Sequence, residues 1–253
     1  MKSTVRALPF LLPVASAAYI PQTRDSAPPA FILAGDSTTA VQSSDGGGWG
    51  TGFLSFVVPP ATGIDKGHNG FTTVSFVQQG DWGVVQGLAS QYQGSGNDVY
   101  VTIQFGHNDQ SPNSGITLDQ YQSNLVGLAE NVTSWGATPL LVTPLSRRIF
   151  SSNNTETDSL HDQRLATIAA AQTAGATCLD LNAASLAYVE AIGQDAAQAY
   201  NLIPTDTTHL NDWGSVVFGR IVADLLLQQK PELGPYIAPN QTLSTLIAEG
   251  LPA

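Results

Sequence analysis

Cysteine is almost absent from the sequence, and this limits both the covalent architecture and the redox chemistry of the protein. Cys178 is the only cysteine among 253 residues, so no intramolecular disulfide can form. It lies in the apolar run 176–179, which favours a buried, inert thiol over a nucleophile. With 42% hydrophobic and 11% charged residues, the chain is predicted to be globular, and its length suits one large domain or two small ones.

Basic residues are also scarce. Lysine and arginine together number 9 against 20 aspartates and glutamates, which gives a formal net charge of −11. Binding to nucleic acid through phosphate contacts requires a basic surface, so this class of partner is not expected. The low charge density and the many uncharged polar residues are typical of an extracellular protein.

Long apolar runs are missing, and after the N-terminal region no segment is apolar enough to span a membrane. Residues 1–17 have the features of a secretion signal. Lys2 and Arg6 form its basic part, and the apolar stretch 7–14 is too short to cross a bilayer. Residues 15–17, Ala-Ser-Ala, fit the small-x-small cleavage rule.

An apolar N-terminal core helix is the alternative, but Pro9 and Pro13 oppose it because proline interrupts helices. Cleavage after Ala17 would remove two basic residues and no acidic one, which changes the net charge from −11 to −13. We therefore expect a secreted, extracellular protein with one domain over residues 18–253. Three Asn-x-Ser/Thr sequons are possible glycosylation sites in a secreted eukaryotic chain. They are Asn131, Asn153 and Asn240.

Short apolar, β-branched runs alternate with segments of helical periodicity about five times along the chain. The predicted strands are 31–34, 62–65, 98–105, 138–143 and 176–181. This alternation predicts an α/β fold with a central parallel sheet of about five strands and helices on both faces. In such sheets, binding and catalytic sites form at the carboxyl ends of the strands.

The first predicted strand ends abruptly in a Gly-Asp-Ser sequence. We expect Gly35 to permit a sharp turn and residues 38–41 to open a helix. A turn between a strand and a helix exposes a side chain and leaves backbone N–H groups free, so Ser37 is a candidate nucleophile. The alternative is that Asp36 or Ser37 only caps the helix.

A serine nucleophile needs a base, and the sequence holds four histidines. His209 ends the segment Asp206-Thr207-Thr208-His209, directly before the predicted C-terminal helix. A carboxylate three residues before a histidine on a turn can reach its Nδ1 and fix the tautomer. The alternative is an acidic turn with an exposed histidine.

Polar turns at Ser37, Gly70 and Asn108 all follow predicted strands. Because the strands are predicted to be parallel, we expect these turns to meet at one edge of the sheet. The backbone N–H groups of Ser37 and Gly70 and the side-chain amide of Asn108 can then donate hydrogen bonds to an oxyanion. Ordinary roles remain open, with Gly70 as a turn glycine and Asn108 as a helix cap.

Taken together, these segments resemble the four sequence blocks of the SGNH (GDSL-type) hydrolases. The blocks are Gly35-Asp36-Ser37, Gly70, Gly106-His107-Asn108-Asp109 and Asp206-Thr207-Thr208-His209. The resemblance covers about residues 31–229 and is greatest to the fungal and bacterial rhamnogalacturonan acetylesterases, which also share Gly48-Trp49-Gly50. It implies a flavodoxin-like three-layer α/β/α sandwich. The implied roles are Ser37 as nucleophile, His209 as base, Asp206 as its orienting group, and Ser37, Gly70 and Asn108 as oxyanion donors.

Two departures from those esterases concern the second block. Phe71 and Thr72 follow the block glycine where the esterases usually have Arg-Ser, which reduces the polarity facing the substrate. Gly67 competes with Gly70 for the block position, and we prefer Gly70 because its spacing to residues 79–82 matches the family better. The disulfides of the known fungal members cannot form in a chain with one cysteine.

Three further residues are candidate substrate contacts, and each has an ordinary alternative. Trp49 would stack on a sugar ring or pack in the core, and His107 would line the cleft or pack under its turn. Arg147, together with Arg148, would bind a uronate carboxylate or form a solvated pair in a loop. No cluster has metal-ligand spacing and no phosphate-binding loop occurs, so neither a metal nor a cofactor is expected.

The sequence therefore predicts a secreted serine esterase that removes O-acetyl groups from a plant cell-wall polysaccharide of the rhamnogalacturonan or pectin type. One alternative is an SGNH esterase or lipase acting on other small acyl or aryl esters. A second is a non-catalytic carbohydrate-binding protein on the same fold. We expect an acetylated polysaccharide or oligosaccharide as substrate, no nucleic-acid or membrane partner, and a monomer.

Overall fold

A five-stranded parallel sheet with the order β2-β1-β3-β4-β5 lies at the centre of the structure, a computed structural model that describes residues 27–151 and 155–253. The strands are β1 (Pro29–Gly35), β2 (Thr62–Gly67), β3 (Asp98–Gln104), β4 (Thr138–Val142) and β5 (Thr177–Leu179). The prediction of a parallel sheet of about five strands is confirmed. The secretion signal predicted at 1–17 and the sequon at Asn153 lie outside the described residues.

Helices cover both faces of this sheet. They are α1 (Gly50–Leu54), α2 (Thr73–Gln78), α3 (Asp81–Gly94), α4 (Leu118–Ser134), α5 (His161–Ala174), α6 (Leu181–Ile192), α7 (Gln194–Gln198), α8 (Asp212–Gln229) and α9 (Gln241–Ala248). Helices α1, α6 and α8 pack on one face, and α3, α4 and α5 pack on the other. Short 3-10 helices, which the sequence did not predict, form at Pro112–Ser114 and Pro231–Tyr236.

Strand β1 belongs to both hydrophobic cores because side chains alternate between the faces of a sheet. Phe31 and Leu33 lie in the core under α1 and α8, whereas Ile32 and Ala34 lie in the core under α3 and α4. All four are fully buried. Complete burial of a side chain as large as Phe31 or Leu33 contributes about 1.5–3 kcal/mol, so this strand is a rigid base for the turn that follows it.

The helix expected at residues 38–41 does not form, and this prediction was wrong. The backbone carbonyl groups that would bond within such a helix accept hydrogen bonds from a later segment instead. Trp49 N–H donates to Thr38 (3.0 Å), Gly50 N–H to Thr39 (3.0 Å) and Gly48 N–H to Ala40 (2.8 Å). The chain after Ser37 is therefore a turn that is hydrogen-bonded to residues 48–50, and the first helix begins at Gly50.

Gly35 is required for space rather than for an unusual backbone angle. Its φ is not positive, whereas a Cβ there would collide with the side chain of Thr39 and the carbonyl of Gln104. Further along, α6 ends at Ile192 because Gly193 adopts a φ of 78°, so α7 is a separate helix rather than a continuation.

Side-chain caps fix the starts of the two helices that follow the predicted site residues. Thr72 Oγ1 accepts a hydrogen bond from the N–H of Ser75 (3.0 Å) at the start of α2. Asn211 Oδ1 accepts one from the N–H of Gly214 (2.8 Å) at the start of α8. Within the described part of the chain, no helix combines the length and the apolar character needed to traverse a bilayer.

Candidate active site

Ser37 lies in the turn after β1, and this turn is built from buried groups. Asp36 is fully buried, and its Oδ1 accepts hydrogen bonds from the N–H (2.9 Å) and the hydroxyl (2.7 Å) of Thr38. Burial raises the pKa of Asp36, but the neighbouring His107 and the hydrogen bonds from Thr38 outweigh burial and lower its pKa below the ordinary value. An ionised carboxylate therefore holds the turn beside the candidate nucleophile.

The structure brings His209 to Ser37 although 172 residues separate them in the chain. His209 Nε2 lies 2.8 Å from Ser37 Oγ, and His209 Nδ1 lies 2.8 Å from Asp206 Oδ2. Both distances are within hydrogen-bond reach. The imidazole thus lies between a hydroxyl and a carboxylate, which is the arrangement of a serine hydrolase triad.

Both oxygens of Asp206 are engaged in this arrangement. While Oδ2 faces the imidazole, Oδ1 accepts the backbone N–H groups of Thr208 and His209, each at 2.9 Å. Burial raises the pKa of Asp206, but the hydrogen bonds from these backbone groups and from His209 outweigh it, and the net shift is downward. The carboxylate is therefore ionised at neutral pH and can stabilise a positive charge on His209.

Arg148 holds the loop that carries His209, a role that the sequence did not reveal. The side chain is fully buried, and its Nη2 donates to the carbonyl of His209 (2.7 Å) while Nε donates to Asn201 Oδ1 (2.5 Å). Its backbone N–H donates to the carbonyl of Thr207 (2.8 Å). Neither a uronate contact nor a solvated loop pair describes Arg148, because it has no exposed surface.

The second and third polar turns meet the first at the same edge of the sheet. This follows from the strand order, in which β1 lies between β2 and β3, and all three run parallel. Asn108 Nδ2 donates one hydrogen to the carbonyl of Phe71 (2.8 Å), which leaves its second amide hydrogen for a ligand. The N–H groups of Ser37 and Gly70 donate to no other group among the described residues.

Asp109 ties the two outer turns together. Its Oδ1 accepts hydrogen bonds from the N–H (3.0 Å) and the hydroxyl (2.5 Å) of Thr73, the first residue of α2. Asn108 bonds the carbonyl of Phe71, so the loop after β3 and the loop after β2 are joined at two points. The side chains of Asn108 and Asp109 therefore set the spacing between Gly70 and Asn108.

The structure separates the roles of Gly67 and Gly70. Gly67 is the last residue of β2, pairs with Gly35, and lies so close to the backbone of Ala40 that a Cβ would collide with it. Gly70 is exposed, has open space around it and adopts a φ of 77°, which favours glycine. Gly70 thus occupies the polar turn after β2, and its assignment to the block position stays a prediction.

Trp49 and His107 cannot be the substrate contacts that the sequence suggested, since both lie in the interior. Trp49 is fully buried, and its Nε1 donates to Gln104 Oε1 (2.6 Å). The side chain of His107 is 3% exposed, with Nδ1 3.4 Å from Thr38 Oγ1 and 3.7 Å from Asp36 Oδ2. The alternatives of core packing for Trp49 and packing under the turn for His107 describe their positions.

Arg147 lies beside the candidate site and retains partial exposure. Its Nε donates to Thr208 Oγ1 (3.3 Å), in the residue before His209, and its Nη1 donates to Ser159 Oγ (2.9 Å). Burial lowers the pKa of Arg147, although the charge of Asp36 opposes that shift. Arg147 is therefore a partly exposed guanidinium beside the histidine loop, whereas Arg148 is buried under that loop, and a substrate contact by Arg147 remains a proposal.

The other predicted residues lie away from this edge or are partly buried. Asn131 is exposed, and its Oδ1 accepts a hydrogen bond from Trp82 Nε1 (3.1 Å), whereas Asn240 caps α9 through the N–H of Leu243 (3.1 Å). Burial raises the pKa of Cys178 to about 11, so its thiol is unreactive at neutral pH. In residues 27–151 and 155–253, no group of three or more His, Cys, Asp and Glu side chains is placed to hold a metal ion.

The sequence did not point to Gln104 or to the parts played by Arg148 and Asp109. Gln104 Nε2 donates to Thr38 Oγ1 (2.7 Å), so the end of β3 supports the turn after β1. A polar residue at the end of an otherwise apolar strand is the signal that points to Gln104. No such signal points to the role of Arg148, because its partners in the loop 201–209 are more than 50 residues away in the chain.

Comparison with known proteins agrees with this geometry. The model of the GDSL-like lipase/acylhydrolase family matches residues 33–216. The rhamnogalacturonan acetylesterase RhgT of Bacillus subtilis (strain 168) is 29% identical over 209 residues, which are 76% of this chain and 87% of that protein. The match to the family model contains every residue that the turns and the histidine loop bring together.

Two solved structures show the same fold. The Bacillus subtilis protein YXIM superposes with a TM-score of 0.70 at 22% identity, over 81% of this chain and 57% of that one. Axe2, an acetylxylan esterase from Geobacillus stearothermophilus, superposes with a TM-score of 0.57 at 18% identity, over 81% of this chain and 94% of that one. Since the family model matches well over half of the chain, this protein belongs to the GDSL-like lipase/acylhydrolase family and is a carboxylic ester hydrolase.

Proposed function

We propose that this protein is a secreted serine esterase that removes O-acetyl groups from plant cell-wall polysaccharide of the rhamnogalacturonan type. The observation that carries the proposal is the continuous line of contacts from Ser37 Oγ through His209 to Asp206, with 2.8 Å at each step. The acyl group and the class of polymer are suggested by the name of the Bacillus subtilis relative. The expected secretion signal at 1–17 supports an extracellular substrate.

The acylation half of the reaction starts at Ser37. Its Oγ attacks the acetyl carbonyl carbon while His209 Nε2 accepts the hydroxyl proton. The ionised Asp206 then stabilises the imidazolium that forms. As the tetrahedral intermediate collapses, His209 donates this proton to the departing sugar oxygen, and an acetyl group remains on Ser37.

The negative charge of the intermediate falls on the former carbonyl oxygen. The free N–H groups of Ser37 and Gly70 and the second amide hydrogen of Asn108 are the donors assigned to it. Their positions are fixed in advance by β1, by the turn at Gly70 and by the bond from Asn108 to Phe71. Donors that need no reorganisation stabilise a developing charge most effectively.

The deacylation half repeats the sequence with water. His209 removes a proton from a water molecule, which attacks the acetyl carbonyl, and the same donors hold the second oxyanion. Collapse of this intermediate returns the proton from His209 to Ser37 Oγ and releases acetic acid, which ionises to acetate and a proton in solution. Each proton and each bond is accounted for by Ser37 and His209, with Asp206 ionised throughout.

Acetate release from acetylated pectin, xylan and mannan tests the proposal. We expect the wild-type protein to release acetate and Ser37→Ala to lose this activity by about 10⁴-fold or more. Ser90→Ala is a matched control, since Ser90 is exposed on α3, and it should retain full activity. Full activity in Ser37→Ala would contradict the proposed mechanism.

Acyl-chain length separates acetyl transfer from the alternative of a lipase. With p-nitrophenyl acetate, butyrate and octanoate as substrates, a deacetylase should prefer acetate strongly. A preference for octanoate would favour a lipid or aryl esterase, and binding of oligosaccharide without acetate release would favour the non-catalytic alternative. Labelling of Ser37 by a fluorophosphonate would argue against that last alternative.

A further inference from the structure

A groove of about 680 Å³, with both polar and apolar residues in its lining, opens beside the Ser37 turn and has no part in the mechanism above. It runs between the segment after β1 and the turn after β2. The side chains that line it are Val41, Gln42, Ser43, Asp45, His68 and Asn69. Most of them are exposed, so the groove is open to solvent along its length.

One wall of the groove is bonded to both ends of the proposed reaction centre. This wall is the loop 43–48, in which the N–H of Gly47 donates to the carbonyl of Ser37 (3.2 Å). The carbonyl of Gly47 accepts the N–H of Leu210 (2.8 Å), the residue after His209. The base of the wall is therefore fixed relative to both the nucleophile and the general base.

The tip of the same wall is bonded to the loop that carries Gly70. Asn69 Nδ2 donates to Ser43 Oγ (3.0 Å) and to Asp45 Oδ1 (3.3 Å). Asn69 precedes Gly70 in the chain, so the loop that lines the groove continues directly into a proposed oxyanion donor. A substrate whose ester carbonyl reaches the N–H of Gly70 can extend along this wall.

The side of the groove opposite the loop 43–48 is rigid. The imidazole of His68 lies flat on the ring of Phe71, with 3.6 Å between the ring centroids, and its Nδ1 lies 2.9 Å from Asp81 Oδ1. The ring is thus held by stacking and by a hydrogen bond while its side chain stays about half exposed. A preformed surface of this kind binds a ligand without a large ordering cost.

The size and the charge of the groove decide what it can hold. It is far larger than an acetyl group, so it suits the alcohol part of the ester rather than the acyl part. Among its described lining residues there is no lysine or arginine, whereas Asp45 contributes a carboxylate. Such a surface repels the carboxylate of a uronic acid and accepts the hydroxyl groups of a neutral sugar.

We propose that this groove is a subsite for a neutral sugar ring of the acetylated substrate. Hydroxyl groups of the ring donate to the exposed Asp45, while the exposed Val41 contacts an apolar face of the ring. In a backbone that contains both neutral and acidic sugars, the groove takes the neutral ring. This subsite rests on the proposed carbohydrate deacetylation.

Blocking the groove tests the proposal without touching the proposed reaction centre. Val41 is 57% exposed, so Val41→Trp fills the groove. Leu165→Trp on α5 is the control, because Leu165 is 48% exposed and α5 packs on β4 and β5, towards the edge of the sheet opposite β2. With acetylated xylo-oligosaccharide as the neutral probe, we expect Val41→Trp to lower kcat/KM about tenfold, mainly through KM. Turnover of p-nitrophenyl acetate should change less than twofold, and Leu165→Trp should leave the kinetics of both substrates unchanged.

Asp45→Asn is the second variant and needs no change of shape. With an acetylated oligogalacturonide as the anionic probe, its kcat/KM should rise about two- to fivefold at low salt, and salt should abolish the rise. The kcat/KM for the neutral probe should fall about two- to threefold, because an amide oxygen accepts a ring hydroxyl less strongly than a carboxylate does. If the ratio of kcat/KM for the anionic probe to kcat/KM for the neutral probe is the same in Asp45→Asn and in the wild-type protein, the proposal is overturned.

The outcomes also separate this subsite from the proposed function. Unchanged oligosaccharide kinetics in Val41→Trp, or an equal loss on both substrates, would overturn the subsite alone. Failure of the wild-type protein to release acetate from any saccharide, while p-nitrophenyl acetate is still hydrolysed, would overturn the proposed function and the subsite with it.

Discussion

The nucleophile half and the histidine half of the candidate site are held in place by different means. Ser37 follows directly from β1, whose residues are all buried and paired on both sides by β2 and β3. His209 lies in a half-buried loop outside the sheet and depends on side chains from other parts of the chain. Of these, Arg148 donates to its carbonyl group.

The difference shows that one site can combine residues positioned by a sheet with residues positioned by side-chain hydrogen bonds. Backbone pairing positions the neighbouring strands that the turns at Ser37, Gly70 and Asn108 continue, and side chains of the turn after β3 link it to the turn after β2. The histidine loop has no strand beneath it, so its position depends on individual hydrogen bonds. We therefore expect conservative changes to be tolerated under the nucleophile and to be costly around His209.

The largest effect that would sharpen this comparison is expected at Asp206. Asp206→Asn can keep the bonds to the N–H groups of Thr208 and His209 but lacks the charge that stabilises the imidazolium. We expect kcat to fall by about 10³–10⁴-fold with little change in KM, measured with p-nitrophenyl acetate. A loss below about tenfold would show that the contact with His209 has no catalytic importance.

A smaller loss is expected at the oxyanion donor Asn108. Asn108→Ala removes the free amide hydrogen and the bond to Phe71, so kcat should fall about 10²–10³-fold. Asn113→Ala, in the exposed 3-10 helix that follows, is the matched control and should keep full activity. Equal rates in the two variants would remove Asn108 from the mechanism.

Arg148 tests whether the histidine half depends on a side-chain anchor. Arg148→Met leaves the carbonyl of His209 and the amide oxygen of Asn201 without their partner, so we expect kcat to fall about 10- to 100-fold and the free energy of unfolding to fall by about 2–3 kcal/mol. Arg164→Met removes the same charge from an ion pair with Asp180 that is partly exposed, and it should have little effect on either quantity. Matching losses in both variants would break the comparison.

The smallest expected effect is a difference in the pH dependence of stability. Burial raises the pKa of Asp65, at the end of β2, to about 7, although the N–H of Gly67 and the charge of Lys66 oppose the shift. Its contribution to stability is complete below its ordinary pKa near 3.8 and is lost as the pH rises through about 7. The pKa of Asp206 is lowered, so its contribution is present above the ordinary value and is lost on acidification through the lowered pKa.

Urea unfolding at pH 3 to 8 measures both contributions. In the wild-type protein, ionisation of Asp65 should lower the free energy of unfolding by about 1–2 kcal/mol between pH 4 and 8, and Asp65→Asn should lack this fall. The fall is smaller than the full pKa shift would give because solvent partly reaches the carboxyl group. The wild-type protein should also lose stability at the acid end of this pH range as Asp206 is protonated, and Asp206→Asn should lack that loss. Parallel pH profiles for the wild-type protein and both variants would contradict the opposite titration of the two halves.

The same comparison explains which parts of the structure could be predicted from the sequence. The alternating burial of β1 and the polar turns at the strand ends follow from local periodicity, so Ser37, Gly70 and Asn108 could be placed at one edge. The pairing of Asp206 with His209 is also local, since three residues separate them. Their approach to Ser37 was inferred from the family resemblance and not from any periodic signal.

Features that depend on distant partners could not be predicted. The cap residues Asp36 and Ser37 favoured a helix after them, but the N–H groups of residues 48–50 bond the carbonyl groups that such a helix would need. Trp49 has a polar tip that suits either a surface or a core, and only Gln104 in the neighbouring strand decides between them. Arg148 is buried because its partners in the histidine loop are folded around it.

Active-site labelling tests most directly the claim that Ser37 is activated by His209. The wild-type protein should react with a fluorophosphonate to give a single adduct, and peptide mass spectrometry should locate it on Ser37. His209→Ala, which retains the hydroxyl but lacks the base at 2.8 Å, should label at least a hundredfold more slowly. An adduct on another residue, or equal labelling rates in the two proteins, would contradict the account.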